Sequence, residues 1–111
     1  MKFEKLVELL QADILNCPEN NLKEITGGYS CDMISWVLSR IEDGQAWITI
    51  LNSRNVIAAA SMADICCIIL VESVRMDEDV ISVAASKSIP IISTALSAYD
   101  TCATLSDHLK V

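Results

Sequence analysis

Apolar positions recur along this chain with helical spacing in its first third. In KFEKLVELLQ, Phe3, Leu6, Val7 and Leu10 stand at i, i+3, i+4 and i+7, which predicts an amphipathic helix. Ile34, Val37, Leu38 and Ile41 repeat the spacing in MISWVLSRI and predict a second. Between them, DILN reads as a short strand. CPENNLKE reads as a loop, because Pro18 and the paired asparagines break the period. Residues 25–30 read as a strand that holds Gly27 and Gly28. Asp32 is placed as the N-cap of the second helix, and Gly44 as the left-handed residue that closes it.

From residue 45 the pattern changes. AWITIL is rich in β-branched and aromatic residues and predicts a strand. ICCIILV and IPIIS are unbroken apolar runs, the mark of strands buried on both faces. VIAAASMA, after a polar NSRN cap, predicts a helix. So does MDEDVISVAASK, whose acidic start and Lys87 end both complement a helix dipole. SAYDTCATLSDHL opens with Ser97 and Asp100 at capping-box-like spacing. Three such strand–helix alternations predict an α/β fold: a single domain with a largely parallel sheet flanked by helices, joined by right-handed crossovers. The first third is expected to add a mixed or antiparallel strand.

Composition narrows the function classes. A chain of 111 residues with no linker or repeat is read as one domain, 1–111. A net charge of −7, with only eight Lys and Arg, argues against nucleic acid and against an anionic membrane surface. A nucleotide stays compatible, since a few backbone N–H groups can hold a phosphate. The cysteines, Cys17, Cys31, Cys66, Cys67 and Cys102, form no CxxC pair. Together with the lack of an N-terminal signal segment they predict a reduced, cytoplasmic protein. CCIILV is too short to span a bilayer. His108 is the only histidine, no ligand spacing surrounds it, and neither metal nor other cofactor is expected.

In a parallel sheet the strand-to-helix turns share one edge, where ligands bind. Three segments carry suitable groups. Thr26, Gly27, Gly28 and Tyr29 lead to Asp32. Thr49, Asn52, Ser53, Arg54 and Asn55 follow the third strand. Ser93, Thr94 and Ser97 follow the last. Together they are expected to line one cleft suited to a neutral or anionic small molecule. Each also has a plain structural reading. The glycines permit close packing, the asparagines and Ser97 cap helices, Tyr29 and Trp47 fill a core or interface, and the acidic 77–79 run is a solvated helix start. No GxxxxGK[ST], GxGxxG or GxSxG run occurs. Cys31, near a helix N-terminus, is the one candidate nucleophile, with only the distant His108 as base.

The elements TGGYSCD, AWITI with its asparagine turn, IILV and IPIISTALSAYDTCATL resemble the DRTGG domain, over nearly the whole chain. The resemblance implies an α/β domain similar to the N-terminal, non-catalytic domain of HPr kinase/phosphorylase. That domain is related in fold to the uridine-nucleotide-binding domain of some Mur ligases. DRTGG domains occur alone, in some phosphotransacetylases, and between CBS domains of regulated pyrophosphatases. They commonly contribute to oligomer contacts. The motif departs at its start: Glu24 and Ile25 stand where the family has Asp and Arg, so an anion contact from that Arg is lost. The kinase's P-loop is absent and kinase activity is not carried over. The expected function is a non-catalytic regulatory module, a homodimer that senses a nucleotide or phosphorylated metabolite at Thr26, Gly27, Gly28, Tyr29, Asp32, Thr49, Asn52, Asn55, Thr94 and Ser97. The alternatives are a ligand-free interaction or scaffold domain using Trp36, Tyr29 and methionines, and a cysteine-dependent enzyme built on Cys31.

Overall fold

The computed structural model describes residues 1–20 and 22–109. Asn21 of the expected loop and residues 110–111 of the expected domain lie outside them. Along the chain run α1 (Phe3–Leu10), β1 (Asp13–Asn16), β2 (Gly27–Ser30), α2 (Ile34–Arg40), β3 (Gln45–Thr49), α3 (Arg54–Ala63), β4 (Ile68–Leu70), α4 (Glu78–Ser86), β5 (Ile91–Ser93) and α5 (Ala98–Leu109). One sheet of order β1-β5-β4-β3-β2 holds the strands. β2 through β5 are parallel. β1 runs antiparallel against β5, as the irregular first third suggested.

The unbroken apolar runs are explained by burial on both faces. Ala46, Ile48, Ile69 and Ile92 point to one side, where Phe3, Leu6 and Leu10 of α1 and Leu105 of α5 cover them. Trp47, Ile68, Leu70 and Ile91 meet Val37 of α2, Val56, Ile57 and Ala60 of α3, and Val80 and Ala84 of α4. Trp47 is fully buried, and its indole N–H donates to Cys31 O at 2.8 Å, which satisfies the one polar atom of that side chain.

Several local expectations are corrected. The strand expected from residue 25 starts at Gly27, and Ile25 is drawn elsewhere. Ile25 N–H donates to Met1 O at 2.8 Å, and the terminal ammonium of Met1 to Ile25 O at 2.7 Å. Met33, not Asp32, holds the N-cap position of α2, and it makes no side-chain cap bond. Ser53 occupies the N-cap position of α3, also without a side-chain bond. α2 ends at Arg40 with Ile41 extended, so Gly44 does not close it. Gly44, at φ +85°, belongs instead to the turn between α2 and β3, where Gln45 N–H donates to Glu42 O at 3.1 Å. Thr26 N–H then donates to Gly44 O at 2.8 Å, which fixes the start of β2 against that turn.

The glycines are therefore unequal. A Cβ on Gly44 would collide with Thr26 Oγ1 at a backbone angle that L-residues avoid. A Cβ on Gly27 would meet only Gln45 Cγ, at an ordinary 3.6 Å. Gly44→Ala is expected to lower stability by about 1–3 kcal/mol, and Gly27→Ala to leave it within about 0.5 kcal/mol. Urea unfolding of the two variants checks the order, and equal losses would contradict it.

Candidate functional site

The parallel strands send Asp32, Thr49, Asn52, Asn55, Thr94 and Ser97 to the carboxyl edge of the sheet, since these residues follow β2, β3 and β5. Most of their polar atoms are already engaged there. Thr49 Oγ1 donates to Asp32 Oδ1 at 2.6 Å, and Ile50 N–H donates to the same oxygen at 3.1 Å. Leu51 N–H donates to Thr49 Oγ1 at 3.1 Å. Asn52 Nδ2 donates to Arg75 O at 2.8 Å, which ties the β3–α3 and β4–α4 connections together. Ser93 Oγ donates to Val74 O at 2.7 Å. Buried Thr94 donates to Leu10 O at 2.8 Å and accepts from Leu96 N–H. Ser97 Oγ accepts from Asp100 N–H at 3.0 Å, the cap its spacing foretold. Asn55 lies exposed in the first turn of α3.

The sequence did not flag the loop after β4. Glu72 and Ser73 both adopt the left-handed region, at φ 57° and 59°. Their N–H groups donate to Leu96 O and Thr94 O, both at 2.9 Å. Two successive non-glycine residues in that region are held by these bonds, and no residue type in VESV signals it. Next to this rim, the Arg54 guanidinium lies 2.9 Å from Asp79 and holds its carboxyl below the usual carboxylate range. The acidic run at the start of α4 thus has one paired member.

Thr26, Gly27 and Gly28 do not join this rim. They sit where β2 begins, beside Gln45 and Ala46 at the start of β3, and so at the opposite, amino edge. Tyr29 packs against the core on the α2–α4 side. The single cleft expected from the sequence is therefore divided: strand direction puts the glycines at one end and the trailing turns at the other.

At the amino edge the glycines face α5. A cleft of about 340 Å³ opens between Thr26, Gly27 and Gly28 on one side and Cys102, Leu105, Ser106 and Leu109 on the other, with Ile48 at its floor. Gly28 lets Leu105 and Ile48 pack close against the strand at its wall. A Cβ there would stand 3.0 Å from Leu105 Cδ2 and 3.1 Å from Ile48 Cδ1, while the bare backbone is exposed. Among the described residues, no charged side chain lines this cleft. Cys102 and Ser106 escaped the sequence reading. Their i, i+4 spacing on one face of α5 was a signal, but it points to a site only once the glycines are known to lie beneath that face.

The cysteine candidate is also separated from its base. Cys31 follows β2 at the carboxyl edge, whereas His108 lies exposed in the last turn of α5, its Nδ1 3.0 Å from Thr104 O. All five cysteines are free thiols. The Cys66 sulfur and complete burial together push the Cys67 thiol well above the usual thiol range. Among the described residues, no three His, Cys, Asp or Glu side chains are grouped to hold a metal ion, and no helix is long and apolar enough to cross a membrane.

Comparison with known proteins adds to this geometry. The DRTGG domain pattern matches residues 5–108. The crystal structure of the CBS and DRTGG domains of the regulatory region of Clostridium perfringens pyrophosphatase, complexed with its activator diadenosine tetraphosphate, is similar to the chain at a TM-score of 0.76. The similarity covers 99% of this chain and 50% of that one at 14% identity, so the present chain spans half the length of that crystallised chain and shares the fold of that half. No curated protein shows significant sequence similarity to the chain.

Two outcomes follow from the rim and the thiols. Asp32→Ala, which strips the acceptor from Thr49 and Ile50, is expected to cost about 1–3 kcal/mol in urea unfolding, and Asp32→Asn less than half of that. Equal costs would show that the acceptor oxygen is not what matters. Alkylation at neutral pH, followed by mass spectrometry, is expected to modify exposed Cys17 first and Cys67 last. Early modification of Cys67 would contradict its burial.

Proposed function

The chain belongs to the DRTGG domain family, and on that premise we propose that it is a non-catalytic regulatory module that forms homodimers in a reducing cytoplasm and senses a small ligand, a nucleotide or phosphorylated metabolite. The observation that carries the ligand half is the open amino-edge cleft, where a strand exposes glycine backbone beside a cavity. The similar Clostridium perfringens regulatory region, which was crystallised with a nucleotide activator, supports this choice of ligand. The non-catalytic half is supported by the distance between Cys31 and His108, which sit at opposite sheet edges, and by the missing P-loop.

The dimer half rests on the unequal edges of the sheet. β1 is guarded by a register shift between Ile14 and Asn16 and by the Asp13–Arg75 ion pair. β2, the other edge, is Gly-Gly-Tyr-Ser, with no charge, proline or bulge. Thr26 N–H faces Gly44 O, and Trp47 N–H faces Cys67 O on the far side of β3. With Gly28 opposite Ala46 and Cys31 N–H donating to Ile48 O, the alternation of a parallel ladder turns the backbone groups of Gly28 and Ser30 outward. Exposed Met33, Trp36 and Ile50 lie just beyond the ends of β2 and β3, with Arg40 stacked over Trp36. A second reading, an interaction domain without a ligand, draws on the same open edge.

Thermal shift and calorimetry with AMP, ATP, diadenosine tetraphosphate and acetyl phosphate test the ligand. A ligand present at a hundred times its Kd is expected to stabilise the fold by about 2.7 kcal/mol. No binding tighter than about 1 mM, or about −4 kcal/mol, removes the ligand reading and leaves the interaction domain. Light scattering is expected to give a dimer at micromolar concentration, and a monomer there removes the dimer.

A further inference from the structure

The amino-edge cleft has a chemistry that selects which end of a ligand it takes. Among the described residues its walls are Ile48, Leu105 and Leu109, its polar side chains are the Thr26 and Ser106 hydroxyls and the Cys102 thiol, and none is charged. The DRTGG motif puts an arginine immediately before Thr26. In this chain that position is Ile25, buried under α1 at 1% exposure, so no cation reaches the cleft from there. Lys23, the next basic residue along, is held by Asp64 at 2.6 Å. The volume, about 340 Å³, lies at the bottom of the range of roughly 300–1,000 Å³ usual for ligand sites. That is room for one ring system.

Resting on the ligand-sensing reading above, we propose that this cleft receives the uncharged ring end of the ligand, a purine- or pyrimidine-type heterocycle, and that any phosphate stays in solvent. The ring lies between the strand wall of Thr26, Gly27 and Gly28 and the α5 wall of Leu105 and Leu109. The hydroxyls of Thr26 and Ser106 are the partners for its edge, and the aliphatic walls exclude water from its faces.

Amide NMR titration of the whole chain tests this, with adenosine and uridine as uncharged probes and sodium tripolyphosphate as the anionic one. A nucleoside is expected to shift the amides of Gly27, Gly28, Leu105 and Ser106, and tripolyphosphate to leave them in place. Ser106→Trp, at an exposed rim position, is expected to weaken nucleoside binding at least tenfold while the rest of the spectrum stays folded. Gly28→Val gives the same reading from the other wall if it folds. Should nucleoside shifts gather instead at Asp32, Asn52 and Ser97, or tripolyphosphate move the cleft amides, the assignment of the ring falls and ligand sensing stands. If neither nucleosides, tripolyphosphate nor diadenosine tetraphosphate shifts any amide, both fall together.

Discussion

The fold depends on covering both faces of three short parallel strands. β3, β4 and β5 have almost no side chain that can face water: Ala46, Trp47, Ile48, Ile68, Ile69, Leu70, Ile91 and Ile92 are all buried. Their backbone groups must then be paired within the sheet, because no water reaches them. Side chains alternate across the sheet, so every strand needs helices above and below it. Three helices lie on one face and two on the other. The common direction of the strands follows from the crossovers, and it sends the trailing turns to one rim and the leading residues to the other.

That polarity gives the two rims opposite chemistry. At the carboxyl edge, side-chain hydrogen bonds knit the turns to one another: Asp32 to Thr49, Asn52 to Arg75, Ser93 to Val74, Thr94 to Leu10. The Thr49, Ser93 and Thr94 hydroxyls are buried and spent on architecture, since a buried hydroxyl left without a partner costs more than a made bond returns. At the amino edge the backbone of Gly28 is exposed, and among the described residues no charged side chain lines the adjoining cavity. A parallel sheet usually offers its carboxyl edge to ligands. In this chain the amino end also offers a cleft, between the glycine pair of β2 and α5.

Much of this was legible in the sequence, and unevenly so. Every strand from AWITI onward was found where expected, because unbroken apolar runs mark two-sided burial without help from the rest of the chain. The Ser97 cap was legible too, since its partner Asp100 lies three residues away. Asp32 was misread for the converse reason. A good cap residue stood before a helix, but Thr49, 17 residues later, supplied a better partner. Gly44 was recognised as left-handed yet assigned to the wrong element, as helix ends are less marked in sequence than turns. The direction of the TGG segment relative to the later turns was beyond reach. Whether a glycine pair begins or ends a strand depends on register with a neighbour.

The place of β1 has a consequence for how the chain comes together. Its first strand pairs with its last, and Thr94 fastens onto Leu10 at a sequence separation of 84. A nascent polypeptide emerging from the ribosome exposes the greasy stripe of α1 long before the strand and helix that cover it have been made. Such distant closure slows folding and lengthens that exposure. The N-terminal quarter is therefore the part of the domain most in need of a chaperone's shelter during translation.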